Sequence, residues 1–149
     1  MTMFEHLKTF FSAKTPPKKP LPEPDARLAL GTLLVRVAMA DGAYLFEEVE
    51  EIDLILSQAY GLKPLEAAKM RATCEQLALH IKDDRAMAER VRAAVDYEHR
   101  LTKVAALWSV VMADGVNDER EQALVELIED TLGIDRSDSE AARAEASIP

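Results

Sequence analysis

The tetrapeptide Met-Ala-Asp-Gly occurs twice in the chain, at positions 39–42 and 112–115. In each copy a Glu follows the Asp by seven positions. The carboxylates that this pattern marks are Asp41, Glu48, Asp114 and Glu121. Carboxylate oxygens are ligands that Ca²⁺ and Mg²⁺ prefer in proteins. The four side chains are therefore candidate ligands of a divalent cation, on the condition that the fold brings the two copies together.

Helix-end chemistry offers a second explanation for the same turns. Gly42 and Gly115 fit the position after a helix where the backbone turns left-handed. An Asp at this end of a helix opposes the helix dipole, at a cost of about 0.3–1 kcal/mol. We therefore expect Asp41 and Asp114 either to accept a hydrogen bond from a turn amide or to bind a cation.

Helix capping explains the two glutamates unequally. Asp118 precedes Glu121 by three positions, which is the spacing of a capping box. The equivalent cap position before Glu48 is Leu45, whose side chain has no oxygen. An EF-hand is excluded for both copies, because valine and methionine stand where a calcium loop needs oxygen ligands.

The elements that carry these residues are predicted to be helices. Apolar residues recur at helical spacing, and no segment alternates as a half-buried strand would. The predicted helices cover 27–40, 47–60, 64–80, a segment capped by Asp83 or Asp84 and ending near 95, 97–113 and 119–132. The polar tail at 135–149 is expected to form at most a weak helix, capped by Ser137 or Asp138. We predict an all-α, single-domain bundle of about six to eight helices.

An internal repeat organises this bundle. A shift of 73 positions places Leu34 on Leu107 and Ile55 on Ile128, as well as one tetrapeptide on the other. The repeat units are about 28–62 and 101–134, and each reads as a helix, an Ala-Asp-Gly turn, a helix and a terminal Gly. We expect the two units to pack as a pseudo-symmetric pair.

Three regions are predicted along the chain. Residues 1–12 read as an amphipathic helix, residues 13–24 as a linker rich in Pro and Lys, and residues 25–149 as the helical domain, with Asp25 as the first cap. The N-terminal helix could touch a membrane surface through residues 3–19, or dock on its own domain. No apolar run is long enough to span a membrane, and no secretory signal is evident.

Charge restricts the classes of partner. The net charge is −9 and the pI about 4.8, so nucleic acid is excluded as a partner because its phosphates would be repelled. Cations, basic proteins and basic peptides fit this charge. Cys74 is the only cysteine, which favours a reducing cytoplasm and a small buried side chain.

The duplicated Ala-Asp-Gly turn, with its spaced Glu and its terminal Gly, resembles the TerB-like family, which is named after tellurite-resistance proteins. The resemblance covers about 28–134 and extends to bacterial members with a short basic N-terminal helix. It implies an all-helical fold, a cytoplasmic setting, a role in stress-response or membrane-associated complexes, and no established catalysis. It also implies an acidic cation site at Asp41, Glu48, Asp114 and Glu121. The chain departs from the family's short polar turn at 43–48, AYLFEE.

We therefore predict a non-catalytic module for protein interaction in a tellurite-resistance-type stress response, with an acidic site for Ca²⁺ or Mg²⁺. Two alternatives remain open: a metal-dependent enzyme that uses the same carboxylates, and a peripheral membrane adaptor. No hydrolase, NTPase or zinc motif supports catalysis. Asp96 and His99 form one unrepeated pair on a helix surface, and Trp108 reads as a core residue.

Overall fold

The structure, a computed structural model, describes residues 21–113 and 118–146. These residues form seven α-helices and no strand, so the all-α prediction is confirmed. The helices are α1 (Ala26–Met39), α2 (Phe46–Tyr60), α3 (Pro64–His80), α4 (Asp84–Ala94), α5 (Tyr97–Met112), α6 (Glu119–Leu132) and α7 (Arg136–Ala146). The predicted N-terminal helix and most of the predicted linker lie outside the described residues.

Helix ends follow the local signals in the sequence. Asp25 accepts a hydrogen bond from the Leu28 amide at 2.9 Å, and Asp83 accepts one from the Ala86 amide at 3.0 Å. Gly61 and Gly133 end α2 and α6 in the left-handed conformation, with φ of 62° and 70°. These contacts explain why six of the helices begin and end within one or two residues of their predicted bounds.

Helix α1 is the centre of the core. Nine of its 14 residues are buried, and it packs against α2, α3, α4, α5 and α6. Gly31 allows α1 to approach α3 closely, because a Cβ at this position would overlap the sulfur of Cys74. Cys74 itself is fully buried, as predicted for a small apolar side chain, and burial raises the pKa of its thiol to about 12.

The tail differs from its prediction. Instead of a weak helix capped by Ser137 or Asp138, α7 begins at Arg136 and extends to Ala146 against α5. The Tyr97 hydroxyl of α5 accepts a hydrogen bond from the Asp135 amide at 3.0 Å and donates one to Asp138 at 2.7 Å. Tertiary contacts therefore stabilise a helix that intrinsic propensity alone leaves marginal.

Membrane-spanning helices were sought among the described residues. None of the helices in 21–113 and 118–146 combines the length and the apolar character needed to cross a bilayer. The pseudo-symmetric packing of the two repeat units stays a prediction.

Candidate acidic site at the Ala-Asp-Gly turns

The first Ala-Asp-Gly turn has the predicted geometry. Gly42 follows α1 with a φ of 82°, and its amide donates to the Met39 carbonyl at 3.0 Å. Asp41 Oδ1 accepts a hydrogen bond from the Ala43 amide at 2.8 Å. This Asx-type bond is one of the two alternatives that the sequence left open for Asp41, and it offsets the unfavourable position of Asp41 beside the negative end of the α1 dipole.

Glu48 is the third residue of α2 and is fully buried. Its Oε1 accepts a hydrogen bond from the Leu45 amide at 3.0 Å. The sequence-based view that capping explains Glu48 poorly was therefore wrong. The return bond of a capping box uses only the backbone N–H of the cap residue, so the apolar side chain of Leu45 does not prevent it.

Glu121 occupies the same place in the second unit. It is the third residue of α6 and is likewise fully buried. Asp118 Oδ1 accepts hydrogen bonds from the Arg120 amide at 2.8 Å and the Glu121 amide at 3.4 Å, so Asp118 is the predicted cap of α6. Asp114 and Gly115 of the second turn lie outside the described residues.

Two carboxylates, those of Glu48 and Glu121, are buried at equivalent positions of α2 and α6, which is unusual for charged side chains. An ionised carboxylate withdrawn from water costs several kcal/mol unless other groups compensate it. Glu48 and Glu121 both remain fully buried although each lies in the first turn of its helix. Their oxygens are hard ligands of the type that Ca²⁺ and Mg²⁺ bind.

Arg120, at the start of α6, has three acidic residues near it. Its Nη2 lies 3.3 Å from Asp118 Oδ2, and the hydrogen bond and charge of Asp118 are the main causes that raise the pKa of Arg120. The charges of Asp41 and Glu121 raise this pKa further. Asp41 of the first turn therefore lies within range of a charge interaction with Arg120 at the start of α6.

Sequence reasoning did not identify Arg120 as part of this site. One signal was available, because Arg120 is the only basic residue between Lys103 and Arg136 in a strongly acidic stretch. Its proximity to Asp41 depends on the packing of the two hairpins, which the spacing along the chain does not reveal.

A polar cluster holds the segment after the first turn. Arg71 of α3 contacts Asp53 of α2 at 2.6 Å and Glu75 at 3.2 Å. Burial raises the pKa of Tyr44 strongly, and the neighbouring Glu75 carboxylate raises it further. Tyr44 therefore stays protonated, and its side chain packs against the hydrophobic core. Sequence reasoning missed this cluster, since its members come from three separate elements.

Metal-binding geometry was tested across the part of the chain that the structure describes. Within it, no three His, Cys, Asp or Glu side chains are arranged to hold a metal ion. Asp41, Glu48 and Glu121 are among those residues and do not form such a group by themselves. Asp114 lies outside them, so the four-carboxylate site stays a prediction. His99 contacts Asp96 at 2.6 Å on an exposed helix surface, as the sequence indicated.

A family model described as Tellurite resistance protein TerB matches residues 27–144 of the chain. The chain belongs to the TerB family. The matched TerB region reaches ten residues beyond the resemblance seen in the sequence, and it includes most of α7. Comparisons with curated proteins and with solved structures gave no match.

The TerB domain of this chain also has a buried polar contact that sequence reasoning missed. The Trp108 indole of α5 donates to Glu129 Oε1 of α6 at 2.5 Å, and the Ser139 hydroxyl of α7 donates to Glu129 Oε2. The Arg143 guanidinium lies 4.6 Å from the Trp108 ring. Trp108 is a core residue as predicted, and through Glu129 it connects three helices of the TerB domain.

Proposed function

We propose that this TerB-family chain is a non-catalytic, cytoplasmic module for protein interaction in a tellurite-resistance-type stress response. In this proposal a Ca²⁺ or Mg²⁺ ion binds at the Ala-Asp-Gly turns. Its ligands come from Asp41, Glu48, Asp114 and Glu121. The family match supports a role in the tellurite-resistance-type response, and the carboxylates at the turns support binding of the ion.

The observation that carries the cation proposal is the full burial of Glu48 and Glu121 at the same position of their helices. Asp41 adds to the support for this proposal, because the charges of Asp41 and Glu121 both raise the pKa of Arg120. A divalent ion would offset the cost of withdrawing these carboxylates from water.

An exposed apolar surface on α2 supports the interaction role. Phe46 and Leu54 are 69% and 50% exposed and lie two turns apart on the same side of α2. Acidic residues surround them, namely Glu47, Glu50 and Glu51. An apolar surface with an acidic rim is complementary to a basic amphipathic segment of a partner protein. We propose such a segment as its occupant.

The cation site and the partner surface share one helix end. Phe46 is two residues from Glu48, so a change at the acidic site alters the start of α2 directly. We propose that cation binding stabilises this end of α2 and thereby strengthens partner binding.

The cation is tested by NMR titration of the full chain with Ca²⁺ and Mg²⁺. We expect saturable shifts of the Gly42 and Gly115 amides, which Asp41→Asn and Asp114→Asn abolish. Asp83→Asn is the matched control, because Asp83 also caps a helix but belongs to α4. Unshifted Gly42 and Gly115 amides at millimolar cation, or equal loss in the control, would refute the cation proposal.

The partner surface is tested with a captured partner that is purified and recombined with the full chain. Phe46→Ser with Leu54→Ser should weaken binding at least tenfold. Leu65→Ser is the control, since Leu65 is similarly exposed but starts α3. Binding that tolerates the double change, or that does not weaken with added salt, would contradict a basic amphipathic partner.

A further inference from the structure

A second feature, separate from the acidic turns, is a groove of about 290 Å³ where the first turns of α1 and α5 meet α2 and α4. Apolar side chains line part of it, namely those of Leu30, Val91 and Val95. Its volume lies just below the range of about 300–1,000 Å³ that is typical of small-molecule sites. The groove therefore suits a small ligand with an apolar portion.

Two cations converge beside this groove. The Arg27 guanidinium lies 4.4 Å from the centre of the Tyr60 ring, and the Lys103 ammonium lies 5.4 Å from the same centre. The two positive groups are thus within about 10 Å of each other. Like charges held this close repel each other, so an anion that contacts both would be stabilised.

Neither cation forms an ion pair with a carboxylate among the residues that the structure describes. Other arginines of the described chain do so: Arg36, Arg71, Arg90, Arg120 and Arg136. The chain has 27 acidic residues against 18 Lys and Arg, so carboxylates are not scarce. Arg27 and Lys103 therefore both line the groove without a carboxylate partner among the described residues.

The groups beside the cations suit an anion as well. Burial lowers the pKa of Lys103 and raises that of Tyr60, which shows that both are partly withdrawn from water. Tyr60 stays a protonated phenol that can donate a hydrogen bond. Asp25 and Asp96 are the nearby carboxylates, and each caps a helix: Asp25 accepts from the Leu28 amide and Asp96 from the His99 amide.

We propose that this groove binds a small organic anion. Its carboxylate contacts Arg27 and Lys103, and its hydrocarbon part lies on Leu30, Val91 and Val95. A medium-chain carboxylate fits this description, because the site offers charge at the rim and an apolar floor. The inference is independent of the cation and partner proposed above, since none of its residues belongs to the acidic turns.

The test is an NMR titration of the full chain with sodium octanoate, below millimolar concentration. We expect saturable shifts of the Arg27, Val95 and Lys103 amides. Arg27→Gln and Lys103→Gln should each weaken binding about tenfold or more, because each removes a charge-assisted contact. Acetate and 1-octanol, which lack the hydrocarbon part and the charge respectively, should each bind at least tenfold more weakly.

Arg85→Gln is the matched control, because Arg85 is an exposed arginine on α4 that also lacks a carboxylate partner among the described residues. Its octanoate affinity should equal that of the unaltered chain. The proposal is overturned if Arg85→Gln weakens binding as much as Lys103→Gln does. It is also overturned if 1-octanol or acetate binds as tightly as octanoate, or if octanoate shifts are scattered and do not saturate.

Discussion

Arg120 is the residue whose role the structure changes most. Its guanidinium contacts Asp118, and the charges of Asp41 and Glu121 help to raise its pKa. Arg120 therefore places a permanent positive charge beside the proposed cation ligands. A divalent ion at the turns would be repelled by this guanidinium. The arginine would therefore limit cation affinity while it balances the carboxylates when no ion is bound.

Arg120→Gln should raise the affinity of the full chain for Ca²⁺ about two- to five-fold, because an exposed charge acts weakly through solvent. The measurement is isothermal titration calorimetry at low ionic strength, where the difference should be largest. Arg136→Gln is the control, since Arg136 is an exposed arginine whose partner is Glu140 at 3.4 Å. Equal affinities for Arg120→Gln and the unaltered chain would contradict this role.

Among the elements, α7 depends most on tertiary contacts. Its sequence is polar and Ala-rich, and Ala142 is its only buried residue. Polar contacts to other helices hold it: Tyr97 bridges Asp135 and Asp138, Ser139 donates to Glu129, and Arg143 donates to Gln122. A short helix of this composition is marginal by itself, so these contacts decide whether it forms.

Tyr97→Phe removes both hydrogen bonds of the hydroxyl and should loosen α7 selectively. We expect amide hydrogen exchange in α7 to become about five- to tenfold faster, with exchange in α1 unchanged. Tyr60→Phe is the matched control, because the Tyr60 hydroxyl has no hydrogen bond to protein among the described residues. Unchanged exchange in α7, or equal acceleration in the control, would show that the bridge does not hold this helix.

For the whole molecule, the close approach of α1 and α3 at Gly31 and Cys74 links folding to pH. The Cys74 thiol has its pKa raised to about 12 mainly by burial, whereas an exposed thiol titrates near 9. The folded state therefore holds its proton at pH values where the unfolded chain loses it. Stability from this group is complete below about pH 9 and falls as the pH rises toward 12.

We expect the free energy of unfolding to fall by about 1 kcal/mol between pH 8 and pH 10 through this group. Urea denaturation at a series of pH values measures it. Cys74→Ala should lower stability at neutral pH but remove this part of the slope. The variant still loses stability at higher pH, because burial also raises the pKa values of Tyr44 and Tyr60. An identical slope in the variant would contradict the assignment to Cys74.

Local signals in the sequence were sufficient to place six of the seven described helices and their ends, and they indicated the TerB family. Asp25 and Gly61 illustrate the reason, since each acts on backbone groups within one helical turn and can be recognised from its neighbours. Helix α1 is apolar almost all round, a pattern typical of a helix at the centre of a bundle. The Asx bond of Asp41 followed from the same local chemistry.

The tertiary structure alone decided which distant groups meet. Asp41 and Arg120 belong to different hairpins, and Arg27 and Lys103 to different helices that converge on Tyr60. The formation of α7 and the burial of both Glu48 and Glu121 also depend on packing against other helices. Periodicity and capping are properties of a few consecutive residues, whereas these contacts depend on how the helices pack across the whole bundle.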